Sequence, residues 1–310
     1  MFRKQGRRTK EGTMTITASA QPQQRQWLAQ LDLTFSQTAH GSRLSHIKRN
    51  GPLSVQKAFY PEGPDCAHVY LLHPPAGIVS GDELYITAKT EENSQALLTT
   101  PGANRFYRAR ENAQIGHALQ LQDTAYTVAA NSRLEHLPQE TLIYPNANAK
   151  NNLTVHVDKQ GVYLGWDVIS LGLPAIGKEF EQGKFEQLTQ IYIDNKLAIH
   201  DRLVIAPENK LLLARAGLAN NPIIGTFYIT APSKLTDKLA QQDLLDALRL
   251  QVEQAELTQK VSISLIENVY VIRYLGQRSA ECKKIFIALW QTTRQALYQS
   301  QVAQPRIWLT

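Results

Sequence analysis

LTVHV, residues 153–157, sets Leu153, Val155 and Val157 on one side of the chain and Thr154 and His156 on the other. A period of two is that of a strand with one face buried. Short runs rich in β-branched and aromatic residues recur on both sides of it. His68–Leu72, Leu84–Ala88 and Ala125–Val128 precede it; Gln190–Ile193, Leu203–Ile205, Gly225–Thr230, Val261–Ile266 and Val269–Tyr274 follow. Gly, Pro and Asn punctuate these runs between Trp27 and Tyr274. Runs this short and closely spaced predict stacked or sandwiched sheets, not alternating βαβ units. The glutamine-rich stretch Gln21–Gln30 reads as a loop or a poor strand.

Two late segments break the pattern. Across Thr236–Leu257, Leu244, Leu245, Leu248, Val252 and Ala255 recur at helical spacing, with Thr236 or Asp237 placed to cap the start. Across Ser279–Val302, Cys282, Phe286, Leu289, Trp290, Thr293 and Leu297 form one stripe, and Pro305 stops it. The expectation is one mostly β domain over residues 27–310 with two helices in its C-terminal third, preceded by a disordered basic and polar tail, 1–26, in which Met14 is a second possible start.

Composition narrows the functional classes. The chain has 310 residues, 43% of them hydrophobic and 19% charged, enough to bury roughly three quarters of its unfolded surface. No run approaches the ~18 apolar residues of a membrane span. The net charge of +6 is mostly Arg3, Lys4, Arg7, Arg8 and Lys10, which leaves only +1 for the rest. Nucleic-acid binders carry their charge as a patch on a folded face, so neither nucleic acid nor membrane is an expected partner. The tail lacks the apolar region of a secretory signal, and a cytoplasmic location is expected. Cys66 and Cys282 stand far apart without a C-x-x-C, which predicts two reduced, buried thiols.

Several chemistries have no motif. There is no G-x-x-x-x-G-K-[ST] phosphate cradle, no G-x-S-x-G elbow and no H-E-x-x-H. The eight histidines are scattered, and the nearest pair, His68 and His73, would face opposite ways on a strand. A dedicated first-row metal site clusters its imidazoles or thiolates, so no tightly bound cofactor is expected.

Five segments carry information. In H-P-P-A-G-I-V-S-G-D (73–82), Pro74 and Pro75 take the chain off any ladder and Gly77 and Gly81 allow positive φ, making a rigid turn that presents Asp82. The bland alternative is that Asp82 only bonds its own turn. Next, A-L-L-T-T-P-G-A-N-R-F-Y-R (96–108) packs Arg105, Phe106, Tyr107 and Arg108, types enriched at interface hot spots, although a surface strand with cation–π pairing reads equally well. Leu134–Tyr144 holds Glu135, His136, Pro138 and Glu140 at a strand-turn-strand, and Gly165–Phe180 holds Trp166, Asp167 and Glu179 in a Gly/Pro-rich passage. The chain closes on Pro305-Arg306-Ile307-Trp308, unusually aromatic for a terminus.

In order and spacing these segments resemble the UreD/UreH family of urease accessory proteins over Leu31 to Thr310. The pieces that carry the resemblance are H-P-P-A-G-I-V-S-G-D, L-L-T-T-P-G-A-N-R-F-Y-R, L-P-Q-E (137–140), R-Y-L-G (273–276) and P-R-I-W (305–308). Three positions depart: His136 where the family usually has Trp, Leu173 where an Arg commonly stands, and Arg105 for a typical Lys. The resemblance implies a solenoid-like, mostly β fold with two helices. It also implies a scaffold that gives nickel a sheltered path into apo-urease, whose nickel-bridging lysine must also be carbamylated, in complex with a helical accessory protein and a nickel-carrying GTPase. Asp82, Glu140 and Glu179 are the candidate groups along a transient nickel path. Arg105, Phe106, Tyr107, Arg108, Arg306 and Trp308 are the candidate partner-binding residues.

The alternative class is a carbohydrate-active hydrolase on a β-solenoid. It needs two carboxylates ~5–9.5 Å apart, with Asp82, Glu135, Glu140, Asp167 and Glu179 as the available acids.

Overall fold

A computed structural model describes residues 27–111, 117–231, 235, 237–298 and 302–309; the expected tail, 1–26, lies outside the described residues. The strands are β1 (Trp27–Thr38), β2 (Gly41–Asn50), β3 (Ser54–Val55), β4 (Ala67–Leu72), β5 (Asp82–Thr90) and β6 (Gln95–Thr99). They continue with β7 (Asn104–Phe106), β8 (Gln120–Val128), β9 (Arg133–His136), β10 (Thr141–Ile143), β11 (Asn148–Val157) and β12 (Val162–Leu171). The last third holds β13 (Lys184–Ile193), β14 (Lys196–Ile205), β15 (Ile223–Thr230), helix α1 (Lys238–Gln254), β16 (Val261–Ile266), β17 (Val269–Gly276) and helix α2 (Ser279–Tyr298).

The chain winds between two stacked sheets. One runs β14-β13-β11-β8-β5-β1-β2 and the other β16-β17-β15-β12-β9-β6-β4-β3. Successive coils lay β5, β8, β11 and β13 in parallel on the first sheet, and β4, β6, β9 and β12 in parallel on the second. A short third ladder joins β7, β10 and the end of β12, extended by a bridge from Ile78 to Phe106. Ile78, Phe106, Ile143 and Leu171 therefore stack coil upon coil with almost no exposure. Antiparallel β2 and β14 close the two ends of the first sheet. The expected solenoid-like architecture of stacked sheets is what forms, and no barrel closes.

Alternation along each strand divides two cores. Residues facing between the sheets, such as Leu31, Val69, Leu98, Leu134 and Val155, form one. The opposite face of the second sheet, carrying Leu97, Leu164, Trp166, Val168, Phe227 and Ile229, is covered by the two helices. Helix α1 starts where Asp237 accepts a hydrogen bond from the Ala240 amide at 2.7 Å. It buries Leu244, Leu245, Leu248 and Val252, the predicted stripe. Helix α2 buries Cys282, Phe286, Leu289, Trp290, Thr293 and Leu297 together with Ile285 and Arg294. Each large apolar side chain so covered contributes about 1.5–3 kcal/mol. The helix comes so close that a Cβ on Gly225 of β15 would lie 2.3 Å from the Cys282 sulfur.

Two readings are corrected. Trp27–Gln30, assigned to a loop or poor strand, opens the 12-residue β1, whose alternation buries Ala29, Leu31, Leu33 and Phe35. Asp167 lies not in a Gly/Pro-rich turn but inside β12, nearly all of which is buried.

Candidate functional site

The H-P-P-A-G-I-V-S-G-D segment is a corner pinned on all sides. Ile78 donates to the Arg105 carbonyl at 2.7 Å, Tyr107 to the Ile78 carbonyl at 3.0 Å, and Gly81 to the Leu119 carbonyl at 2.9 Å. Positive φ falls on Ala76 (64°) and Gly81 (92°). Gly77 is required for a different reason: a Cβ there would meet the Tyr107 ring at 2.3 Å. Asp82, 6% exposed, accepts from the Val79 amide at 2.9 Å and thus holds its own turn. Burial raises its pKa, while the Val79 amide and nearby His73 act to lower it.

Next to this corner a cavity of about 230 Å³ opens between the sheets, lined by His73, Arg105, Gln122, Tyr126, His136 and Asp167 among others. Polar groups are out of place in such a core, and several lack partners. The hydroxyls of Tyr126 and Tyr163, Nδ1 of His73 and of His136, and Oε1 of Gln187 are buried without a hydrogen bond among the described residues. Unsatisfied buried groups are rare and call for a bound species or a role. Asp167 accepts from Gln187 at 3.0 Å, yet burial pushes its pKa up to about 7. Burial likewise drives His136 down to about 4, so its imidazole is neutral at neutral pH. Its ring meets Tyr126 edge-on, with 5.1 Å between centroids. Beyond them Tyr163 lies within electrostatic reach of Tyr126, Asp167 and Tyr228, and Tyr228 donates to Asp201 at 2.8 Å. A polar tract thus crosses an otherwise apolar interior.

The three candidate acids do not meet. Asp82 stands at the corner, Glu140 sits 3.6 Å from Lys283, and Glu179 is exposed on the rim of a second, larger cavity of about 500 Å³ with Leu171, Phe180 and Pro207. Among the candidate contact residues, Phe106 is fully buried in the coil stack, so its side chain faces the core. Arg105 is half-buried and donates to the Ala76 carbonyl at 3.2 Å, Tyr107 packs edge-on against Tyr144, and Arg108 is exposed and paired with Glu111. Trp308 packs on Trp166 and Trp290, with 5.4 Å between centroids in each case, and donates to Thr99 at 3.0 Å, while Arg306 is exposed.

A second cluster lies on the helix side of the second sheet and was not foreseen as a unit. Glu135, 0% exposed, accepts from Trp290 and from Arg294, each at 2.6 Å, and sits 2.9 Å from Arg133. Arg294 also binds Glu62, which faces His68 at 3.1 Å. Burial would raise the Glu62 pKa, but His68 and Arg294 more than offset it and hold the carboxyl low. Burial would lower His68, yet the Cys66 sulfur and Glu62 lift it to about 9. Cys66 and Cys282 are both reduced and buried. Only the tertiary fold joins residues 62–68, 133–135 and 290–294, so no spacing in the sequence betrays the cluster.

Fold and site define a class: stacked β-coils with a polar tract in the interior and two helices covering one face. The family described as UreD urease accessory protein matches residues 28–309. A urease accessory protein UreD of Psychromonas ingrahamii is 48% identical over 291 residues, 92% of this chain and 94% of the relative. That of a Marinomonas species is 42% identical over 92% of this chain and 90% of its own, and that of Citrobacter koseri 35% over 97% and 98%. The chain belongs to the UreD family of urease accessory proteins. Its role is accessory to urease maturation, and the family is not catalytic, which removes the hydrolase alternative. No helix among the described residues is long and apolar enough to cross a membrane.

Proposed function

We propose that the chain is a nickel-insertion scaffold: it binds apo-urease and a helical accessory partner in the cytoplasm and conducts nickel, released by a GTPase, along its polar interior. The carrying observation is the cavity between the sheets, where the unpartnered Tyr126 hydroxyl, the imidazoles of His73 and His136 and the Asp167 carboxylate stand among apolar side chains. A divalent ion entering dry protein meets a prohibitive desolvation penalty, so its route must be wet and polar. Dispersed oxygen and imidazole donors attract the cation without trapping it, unlike a clustered site. Asp167 and His136 are the central groups of this route, and Asp82 with His73 marks a mouth. Glu140 and Glu179 lie off it: the first is paired with Lys283, and the second is at the rim of the other cavity. Arg105, Tyr107, Arg108, Arg306 and the Trp308 segment supply partner contacts.

The test is Asp167→Asn, which keeps the shape and the oxygen facing Gln187 but removes the charge. Partner pull-down is expected to be unchanged while nickel per urease active site falls several-fold. Full nickel loading by Asp167→Asn and by Asp82→Asn alike would refute the route.

A further inference from the structure

Cys66 and His68 stand two residues apart at the start of β4, on the face that the helices cover, and are 2% and 1% exposed. With Glu62 they bring a sulfur, an imidazole nitrogen and a carboxylate oxygen within 4.8 Å of one another. From this geometry we infer a binding site for one soft monovalent cation, cuprous copper, held by Cys66 and His68 and oriented by Glu62. The inference stands apart from the nickel route, which runs on the opposite face of the same sheet.

Three observations carry it. First, the imidazole is arranged as a ligand. Nε2 faces Glu62 Oε1 at 3.1 Å, and Nδ1 is buried with no hydrogen-bond partner among the described residues. A ligating histidine donates its other N–H to a carboxylate, which fixes the tautomer and the ring. Second, both Glu62 oxygens are already engaged, by His68 and by Arg294. The donors left over are a thiol and an imidazole, and thiolates select soft cations such as Cu(I). Bonds of about 2.3 Å to sulfur and about 2.0 Å to nitrogen span about 4.3 Å in a line, comparable with the 4.8 Å within which the cluster's donor atoms lie.

The third is charge. Glu62 and Glu135 are balanced by Arg133 and Arg294, all in contact. Ligation requires both the thiolate and a neutral imidazole, so with His68 uncharged the two ligands together add a single negative charge. A monovalent cation brings the buried group to neutrality. A divalent ion would leave a net positive charge beside two guanidiniums, with the desolvation penalty that implies. Nickel and zinc are therefore disfavoured here, although the donor types alone would admit them.

The experiment is anaerobic competition for Cu(I) between the full chain and a chromogenic chelator, repeated with Ag(I), which is redox-inert, and with Ni(II). One Cu(I) per chain is expected. Cys66→Ser and His68→Phe should abolish competition, Glu62→Gln should weaken it about 10–100-fold, and Cys282→Ser should leave it unchanged. Undiminished binding by Cys66→Ser, or Ni(II) displacing Cu(I) at equal concentration, overturns the assignment. If Cys66→Ser fails to fold, the wild-type chain decides. One equivalent of Ag(I) should shield Cys66, identified by peptide mass, from alkylation under partial denaturation, and an unshielded Cys66 overturns it equally.

Discussion

Glu135→Ala should be among the most damaging single substitutions outside the apolar core. The carboxylate is fully buried and receives Trp290 Nε1 and Arg294 Nη1 at 2.6 Å each, with Arg133 2.9 Å away. Removing it leaves Glu62 as the one carboxylate facing two guanidiniums, and deletes the partner of an indole N–H sealed beneath α2. Breaking a buried pair by removing one member costs about 3–5 kcal/mol, a large share of the ~5–15 kcal/mol that holds a typical domain. Pulse proteolysis across a urea series reads this from dilute protein. The reasoning extends to Glu135→Leu/Arg294→Met, which returns the cluster to one acid, Glu62, and one base, Arg133, within apolar packing. That double variant should recover at least half of the loss. A single variant within about 1 kcal/mol of wild type, or a double variant no better than the single, would refute the claim that uncompensated charge is what matters.

Trp308→Ala, which removes two ring contacts and the bond to Thr99, should cost about 2–3 kcal/mol, below the ~3–5 of a fully buried tryptophan because the ring is half-buried; an unchanged melt would detach the terminus from the fold. Gly77→Ala should lower the melting temperature through its clash with the Tyr107 ring, and Gly77→Ala/Tyr107→Leu should restore much of it. Asp167 has a pH signature. Its folded pKa, about 7, lies above the ordinary 3.8, so its contribution is present below pH ~4 and is lost as pH rises to about 7. Asp167→Asn should therefore be more stable than wild type at pH 8 and flatten that part of the stability profile, as urea midpoints would show.

The sequence made the elements legible wherever one local rule governed them. The helical stripes of α1 and α2 and the period-two runs needed only spacing, and the Asp237 cap only a residue type. β1 was half missed because Gln30 and Asp32 occupy its outward positions, and glutamine-rich composition masks the inward row Ala29, Leu31, Leu33 and Phe35. The candidate site was less legible. Asp82 and the corner before it could be read, yet the observed positive φ falls on Ala76 where Gly77 was expected, since Gly77 is constrained by a ring 30 residues away. Asp167, His136, Tyr126 and Tyr163 belong to three strands and meet only because the coils stack in one register. The one trace in the sequence is an acid inside a buried run, Trp166-Asp167-Val168-Ile169.

Strand β9 shows how the two polar regions differ in kind. Successive residues point to opposite faces of a sheet, so Glu135 looks toward the helices and His136 toward the space between the sheets. The outward cluster pairs acids with guanidiniums and uses both Glu135 oxygens, while Nε of Arg133 and of Arg294 and Nδ1 of His68 have no hydrogen-bond partner among the described residues; charge pairing of this sort fixes the geometry of a core. The inward group has an aspartate that makes no ion pair among the described residues and is lifted toward neutral pKa, and hydroxyls with no partner. Such a group weakens packing and would be replaced by apolar side chains if stability were its only purpose. An interior that keeps unsatisfied donors and acceptors between two well-packed sheets is suited to a guest that completes their bonds briefly and leaves. The nickel route proposed above would supply such a guest, whereas a permanently bound ion calls for convergent donors, which this tract does not show among the described residues.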